Sequence, residues 1–157
     1  MKKLSCLFVA AAAVMFSSSL AVAGDAEVKG EKEFKRRCAS CHYVLKDKKR
    51  VGPSLFKIIN RQAGTSKGFR YGKDMVAAGE KGLKWTPENL VEFLEKPRVY
   101  LGKHVGKGKA SSRMVLRLRD LEKRKDIVAY LVSLQPELKA EVKAESEEKA
   151  KPEGEKK

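Results

Sequence analysis

The chain of 157 residues carries 35 Lys or Arg against 20 Asp or Glu, which gives a formal net charge of +15. This length excludes a large multidomain protein, and the positive balance favours a partner of opposite sign: an acidic protein face, an anionic membrane or a nucleic acid. The excess charge lies in residues 24–135, with 27 Lys or Arg and 13 Asp or Glu, whereas residues 136–157 hold six Lys and seven Glu.

The first 23 residues have the composition of a secretory signal peptide. Lys2 and Lys3 precede an apolar run of Leu, Phe, Val and Ala, and residues 21–23 form a small-residue cleavage site. An uncleaved membrane anchor is the alternative, because the apolar run is just long enough to span a bilayer, but three serines at 17–19 interrupt it. We therefore predict cleavage and export to the periplasm, which argues against a nucleic acid as partner.

The end of the chain, residues 136–157, contains mainly Glu, Lys and Ala, with Leu138 and Val142 as its only larger apolar residues. So few apolar side chains cannot offset the entropy lost on ordering, and we expect a disordered tail. The predicted organisation is thus a signal peptide over 1–23, a folded domain over 24–135 and a disordered tail over 136–157.

The first predicted element of the domain is a helix from Ala26 to Cys41. Gly30, Phe34 and Cys38 recur at a four-residue spacing and so share one face of this helix. Glycine is costly inside a helix, which indicates that another segment packs closely against it. We expect that segment to be a helix at the C-terminal end of the domain.

The end of this helix carries the motif Cys38-Ala39-Ser40-Cys41-His42. Two thiols three positions apart can each add to one vinyl group of a haem, and a histidine directly after the second thiol can reach the iron from the same side. A redox dithiol, a structural disulfide and half of a zinc site are the alternatives. However, a thioredoxin-like dithiol requires a βαβ frame, and a zinc site requires a second pair of ligands that this chain lacks. We therefore favour haem attachment.

Two short helices are predicted in the loop-rich middle of the domain. The first covers residues 74–78 and is closed by Gly79. The second starts with Thr86 as N-cap and Pro87 as first helical residue, and it ends at Pro97. No strand pattern of useful length appears in this part of the sequence.

A helix from Asp120 to Leu134 is predicted to close the domain. Its inward-facing residues are Ile127, Tyr130, Leu131 and Leu134. We expect Gly30 to meet Tyr130 where the first and last helices cross. The fold class is therefore mostly α with long loops, and loops this long in a small domain require an apolar surface, such as a buried haem, on which to lie.

Besides the haem motif, residues 28–134 contain a series of further short motifs that occur in the same order in one family of proteins. The matched residues are Gly30, Phe34, Cys38, Cys41, His42, Val51-Gly52-Pro53, Arg61, Ala63-Gly64, Gly68-Phe69, Tyr71, Trp85-Thr86-Pro87-Glu88, Lys96-Pro97, Arg113-Met114 and Asp126 to Leu131. In these residues the chain resembles the class I cytochromes c. The resemblance implies the small cytochrome c fold, in which crossed N- and C-terminal helices and long loops enclose a covalent haem.

The resemblance also implies how one haem c is held. Cys38 and Cys41 would form the thioethers, His42 would be the proximal iron ligand and Met114 the distal one. The carbonyl of Pro53 would accept a hydrogen bond from the ring of His42 and so fix its orientation.

Three further residues would surround a haem propionate by the same resemblance. Tyr71 and Trp85 would donate hydrogen bonds to it, and Arg61 would offset its charge. The segment 101–113 is longer than the usual connection in the family and contains His104, so that ligation of the iron by His104 is an alternative.

An iron with two protein ligands has no open position for a substrate, so the resemblance implies a one-electron carrier and not an enzyme. Its basic surface would steer acidic redox proteins, such as a quinol–cytochrome c reductase, a dehydrogenase or a terminal oxidase, and the carrier would be a monomer. The residues expected in this surface are Lys35, Arg36, Arg37, residues 46–50, Lys103, Lys107, Lys109, Arg113 and Arg117. The alternatives are a haem enzyme or gas-binding protein with an open or His104-ligated iron, and a haem-free thiol oxidoreductase.

Overall fold

The computed structural model describes residues 21–135, with side chains from residue 24 onward, and this part of the chain contains five helices. They are α1 (Ala21–Arg37), α2 (Lys73–Glu80), α3 (Pro87–Glu95), α4 (Pro97–Val105) and α5 (Leu121–Ser133). The β pairing among these residues consists of two isolated bridges, His42 with Lys49 and Gln62 with Lys84. The prediction of a mostly helical fold with long loops is confirmed. The predicted tail and all but the last three residues of the predicted signal peptide lie outside the described residues.

Helices α1 and α5 cross at Gly30, as the sequence predicts. A Cβ atom built on Gly30 would lie 1.9 Å from the carbonyl oxygen of Asp126 and 2.9 Å from the Cβ of Tyr130. The ring of Phe34, one turn further along α1, packs against the ring of Tyr130 with centroids 5.6 Å apart. Glycine at position 30 therefore allows the two backbones to approach more closely than any side chain would permit.

Helix α1 ends at Arg37, and the prediction that it continues to Cys41 is wrong. The N–H groups of Cys41 and His42 both donate to the carbonyl of Cys38, at 3.0 Å and 2.9 Å, in a turn that replaces the regular helix. The carbonyl of Cys41 accepts a hydrogen bond from the N–H of Gly52 at 2.9 Å. This contact with a distant loop is not contained in the local apolar spacing from which the helix was predicted.

Helix α3 begins as predicted, but α4 was not predicted. The side-chain oxygen of Thr86 accepts a hydrogen bond from the N–H of Asn89 at 3.2 Å, and Pro87 is the first helical residue. Pro97 follows the end of α3 and begins α4, because proline fits the first turn of a helix although it disrupts the interior. The expected long connection 101–113 is therefore helical as far as Val105.

The remaining helix, α2, extends the predicted segment 74–78 by one residue before and two after. A Cβ atom on Gly79 would lie 2.0 Å from the carbonyl oxygen of Ala63, so this helix packs directly on the backbone of the preceding loop. Helices and loops share one apolar core, in which Leu101 and Ile127 are the largest fully buried side chains. Among residues 21–135, none of the helices combines the length and the apolar character needed to cross a membrane.

Candidate haem-binding site

A large, mainly apolar cavity lies between the helices and the long loops. Its volume is about 1190 Å³, including the space that opens to solvent at its mouth. All the residues that the sequence predicts for a haem site line this cavity: Cys38, Cys41, His42, Pro53, Arg61, Tyr71, Trp85 and Met114. The fold therefore brings together side chains that are far apart in the sequence.

Two free thiols lie on one wall of the cavity, directly after α1. Cys38 is 6% exposed, and burial raises the pKa of its thiol to about 11, although Arg37 opposes the shift. A thiol oxidoreductase depends on a thiolate with a lowered pKa. The burial of Cys38 is thus the opposite of what the haem-free alternative requires.

The imidazole of His42 has a fixed orientation. Its Nδ1 lies 2.7 Å from the carbonyl oxygen of Pro53, which can only accept, so that Nδ1 carries the proton and Nε2 keeps its lone pair. A Cβ atom on Gly52 would lie 2.4 Å from Cε1 of the ring, so the backbone at Gly52 confines the ring from the side. Burial lowers the pKa of His42 and exceeds the opposing effect of the Pro53 carbonyl, which favours the neutral imidazole that a metal requires.

The loop after His42 is held against the thiol segment by Arg50. Its guanidinium donates to the carbonyl of Ala39 at 3.1 Å and lies over the ring of Tyr43, 4.1 Å from the centroid. The N–H of Leu55 also donates to the carbonyl of Tyr43 at 2.8 Å. The position of Pro53, and with it the orientation of His42, is therefore supported by several contacts within one loop.

Arg61, Tyr71 and Trp85 all line the cavity, and the structure shows a further role for Arg61. Its guanidinium donates to the carbonyl oxygens of Phe56 at 3.0 Å and Ser54 at 2.7 Å. Arg61 thus holds the loop that follows Pro53, while its side chain lines the cavity. Nothing in the local sequence around Arg61 indicates these backbone contacts.

Met114 reaches the cavity from the segment between α4 and α5. Ser112 and Met114 form a local turn, in which the hydroxyl of Ser112 accepts from the N–H of Met114 and donates to its carbonyl, both at 3.2 Å. Met75 on α2 also lines the cavity. The sequence analysis did not place Met75 at this site, because its position depends on how α2 packs.

His104 is not among the residues that line the cavity. It lies in the last turn of α4, where its Nδ1 is 3.0 Å from the carbonyl oxygen of Tyr100 and its ring centroid is 4.7 Å from that of Tyr100. The expectation that His104 belongs to a loop is therefore wrong, and its ring packs against α4.

The residues of this cavity fit a covalently attached haem. Two thiols, a neutral imidazole and a thioether are the groups that a c-type haem uses for attachment and axial ligation. The apolar walls, which include the buried side chains of Ile58, Leu90 and Phe93, would cover the faces of a porphyrin. No part of the lining contradicts such an occupant.

A small helical domain with these donors in one apolar cavity is a mono-haem c-type cytochrome. The family model described as "Cytochrome c" matches residues 27–135, and the chain belongs to the cytochrome c family. It is 47% identical over 116 residues to cytochrome c2 iso-2 of Rhodospirillum centenum, which covers 69% of this chain and 95% of that protein. It is 43% identical over 130 residues to cytochrome c-551 of Roseobacter denitrificans, covering 78% of this chain and 90% of that protein.

Solved structures show the same fold. The structure of cytochrome c2 from Rhodospirillum centenum superposes with a TM-score of 0.64 at 46% identity, and covers 69% of this chain and 97% of that one. The ferricytochrome c2 of Rhodopseudomonas palustris gives a TM-score of 0.63 at 38% identity, with 69% and 97% covered. The prediction of a small cytochrome c fold is confirmed. The chain is an electron-carrying cytochrome with one covalently bound haem c, and its partners are redox proteins.

Proposed function

We propose that this cytochrome carries single electrons in the periplasm, with its haem attached through Cys38 and Cys41 and its iron ligated by His42 and Met114. The observation that carries the proposal is that these four side chains, from two distant parts of the chain, line the same cavity. When bound, the haem supplies the exchange of one electron between iron(II) and iron(III).

The protein's own contribution is to keep the iron's surroundings the same in both states. The carbonyl of Pro53 accepts a hydrogen bond from Nδ1–H of His42, so that Nε2 could face the metal in a fixed direction. The thioether of Met114 favours the reduced iron and raises its potential. Ile58 and Phe93 are buried and exclude water from the cavity. With His42 and Met114 both bound to the iron, no position would remain for a substrate, and we propose that the protein is not an enzyme.

Arg61, Tyr71 and Trp85 are proposed to contact the haem propionates. Each lines the cavity, and Trp85 is 6% exposed, so its indole meets any occupant in a largely dry environment. A cationic guanidinium beside a carboxylate is the arrangement that stabilises a buried negative charge. These contacts would keep the cofactor in one orientation relative to His42.

Basic residues around the cavity mouth are proposed to bind an acidic face of the redox partner. Ion pairs already hold four of the expected cations: Lys35 with Glu31, Arg36 and Arg37 with Glu33, and Lys107 with Asp74. Among residues 24–135, no ion pair involves residues 46–50, Lys103, Lys109, Arg113 or Arg117. We call residues 46–50 and 109–117 the docking face.

Two exposed apolar residues accompany the docking face. Val51 is 80% exposed and Val115 is 89% exposed, and both line the cavity at its rim. Apolar contacts inside a ring of positive charge suit a brief encounter with a quinol–cytochrome c reductase, a dehydrogenase or a terminal oxidase. The protein would reach a membrane through such partners and act as a monomer, without binding nucleic acid.

The domain boundaries complete the proposal. Residues 1–23 would be removed on export, and residues 136–157 would remain as a tail on the mature protein. Mass spectrometry of the periplasmic fraction should find a chain that begins at Gly24 and carries one haem. A mature protein that retained residue 1 would contradict cleavage and favour a membrane anchor.

Carbon monoxide binding to the reduced, haem-loaded protein tests the proposed ligation. The wild type should keep its reduced absorption spectrum under carbon monoxide at neutral pH, because both axial positions are occupied. Met114→Ala should bind carbon monoxide under the same conditions. A wild type that binds carbon monoxide would have an open iron, which would support the haem enzyme or gas-binding protein instead.

A further inference from the structure

A buried carboxylate outside the haem site lies between α2 and the segment that leads to Met114. Asp74 is 4% exposed, and a buried charge is costly unless it is paired. Its Oδ1 accepts a hydrogen bond from Nζ of Lys107 at 2.6 Å, and its Oδ2 accepts one from the backbone N–H of Ser111, also at 2.6 Å. The bond from Lys107, assisted by that from Ser111, holds the pKa of Asp74 below its ordinary value, so the carboxylate is charged at neutral pH.

Both partners of Asp74 belong to the chain between α4 and Met114. Just before Ser111, the N–H of Ala110 donates to the carbonyl of Arg98 at 2.8 Å, and Nε of Arg98 donates back to the carbonyl of Ala110 at 3.1 Å. The next backbone bond to another element is that of Leu118, whose N–H donates to the carbonyl of Leu94 at 2.9 Å. The hydrogen bond from Ser111 to Asp74 is therefore the last one to a neighbouring element before Met114, which follows Ser111 by three residues.

Beyond that hydrogen bond, the segment makes none to another element until Leu118, although Met114 and Leu116 pack against the apolar core. In the described structure, the hydrogen bonds of residues 112–117 are those between Ser112 and Met114. Three residues can span at most about 10 Å when extended, so the place at which Ser111 is held limits where the sulfur of Met114 can lie. A displacement of Ser111 would pass to Met114, because no hydrogen bond to a neighbouring element lies between the two residues.

We propose that Asp74 positions Met114. By holding Lys107 and Ser111 on α2, it fixes the segment that would present the thioether of Met114 to the haem. This inference rests on the proposed role of Met114 as distal ligand. Without the carboxylate, the segment would lose its charged anchor, and the thioether would leave the iron more often.

Asp120 offers a control that makes the same kinds of bonds as Asp74, although its carboxylate is exposed and that of Asp74 is buried. Its carboxylate also accepts one backbone N–H, from Lys123 at 3.2 Å, and pairs with one lysine ammonium, that of Lys123. However, it caps the start of α5, and none of its side-chain hydrogen bonds or ion pairs in the described structure reaches residues 107–117. Asp74→Ala and Asp120→Ala therefore remove similar interactions, but only one of them affects the position of Met114.

The experiment uses the haem-loaded protein and follows three quantities in each variant. These are the weak near-infrared band of oxidised methionine-ligated haem, the rate at which imidazole displaces the distal ligand, and the free energy of unfolding in urea. Asp74→Ala should weaken or abolish the band and accelerate imidazole entry by at least about tenfold, as expected for the loss of a charged hydrogen bond. Asp120→Ala should lower stability through the lost cap but leave the band and the imidazole rate unchanged.

Two partial variants keep the test decisive should Asp74→Ala fail to mature. Lys107→Ala removes only the ion pair, and Asp74→Asn removes only the charge, so both should give smaller changes in the same direction. If Asp74→Ala, or both partial variants, keep the wild-type band and imidazole rate, Asp74 is an ordinary structural ion pair and the inference is wrong. If the wild type lacks the band, or Met114→Ala keeps it, Met114 is not the distal ligand and the proposed function fails too. The failure of the Asp74 proposal and the failure of the Met114 proposal therefore give different results.

Discussion

The Nδ1 atom of His42 lies 2.7 Å from the carbonyl oxygen of Pro53, eleven residues further along the chain. Between them, Gly52 places its backbone so close to the ring that an added Cβ would lie 2.4 Å from Cε1. The hydrogen bond fixes which nitrogen carries the proton, and the glycine fixes the plane of the ring. The motif that attaches the haem therefore depends on a second, short stretch of sequence to orient its histidine.

Gly52→Ala should disturb this orientation directly. The new methyl group would overlap the imidazole, so the ring or the loop must shift, and overpacking of this kind costs about 1–3 kcal/mol. We expect a lower yield of haem-loaded protein and a changed reduction potential, measured by absorption and by redox titration. Gly108→Ala is the control, because a Cβ at that position meets nothing within 4 Å. If Gly52→Ala and Gly108→Ala gave the same yield of haem-loaded protein and the same reduction potential, the role of Gly52 would be contradicted.

Gly30→Ala should destabilise the domain by forcing α1 and α5 apart. The added Cβ would lie 1.9 Å from a backbone oxygen of Asp126, which cannot move aside as a flexible side chain would. We expect a loss of about 3 kcal/mol in the free energy of unfolding, measured in urea. Gly24→Ala, at the proposed N-terminus of the mature chain, meets nothing within 4 Å and should be neutral. A Gly30→Ala protein as stable as Gly24→Ala would mean that the crossing is not tight.

The sequence was sufficient to predict eight of the residues that line the cavity, although not Met75, and to predict the helix crossing. Cys38, Cys41 and His42 form a local motif, and Met114 was predicted from the resemblance to the class I cytochromes c. The Gly30 contact could be inferred because a glycine at a helix-facing position needs a close neighbour. Such features leave a mark in a short stretch of sequence.

Other contacts between distant residues could not be predicted in this way. Asp74 pairs with Lys107, 33 residues away, and nothing near either residue indicates the partner. Helix α4 was not predicted for a related reason. Pro97 indicates the end of α3, and the same proline also starts α4. His104 was assigned to a loop as a consequence, because the glycines and lysines around it have low apolar content.

Tyr100→Phe should increase stability, most of all at high pH. The hydroxyl of Tyr100 is buried and has no hydrogen-bond partner in the described part of the chain, so its removal should stabilise by up to about 1 kcal/mol. Burial raises the pKa of Tyr100 to about 12, whereas the pKa of an unfolded tyrosine is about 10. Between these values the folded state retains a proton that the unfolded state releases, so Tyr100 lowers stability as pH rises.

Urea unfolding of both proteins from neutral to alkaline pH measures this effect. The advantage of Tyr100→Phe over the wild type should be constant below the pKa of an unfolded tyrosine and should increase above it. Curves that remain parallel throughout would show that the phenol does not contribute to the alkaline loss of stability.

Electron transfer to an acidic partner should depend on salt and on the charge of the docking face. Raising the ionic strength from low to high should slow association by about tenfold or more, because screening weakens steering. Arg113→Glu, at the cavity mouth, should slow association at low salt far more than Lys125→Glu on α5, although both change the net charge equally. A second-order rate that does not change with salt, or that responds alike to both variants, would contradict a localised basic surface.

His104→Ala should leave the haem spectrum unchanged, because the ring of His104 lies against Tyr100 on α4 and not in the cavity. Its loss should cost only about 0.5–1 kcal/mol in stability, from the ring contact and the favourable position at the end of a helix. Met114→Ala should instead lose the near-infrared methionine band and bind carbon monoxide when reduced. The reverse result, with a changed spectrum only in His104→Ala, would require α4 to unwind and deliver its histidine to the iron. Since that movement would break the Tyr100 contact and the bond from Lys107 to Asp74, it would also be visible as faster amide hydrogen exchange in α4.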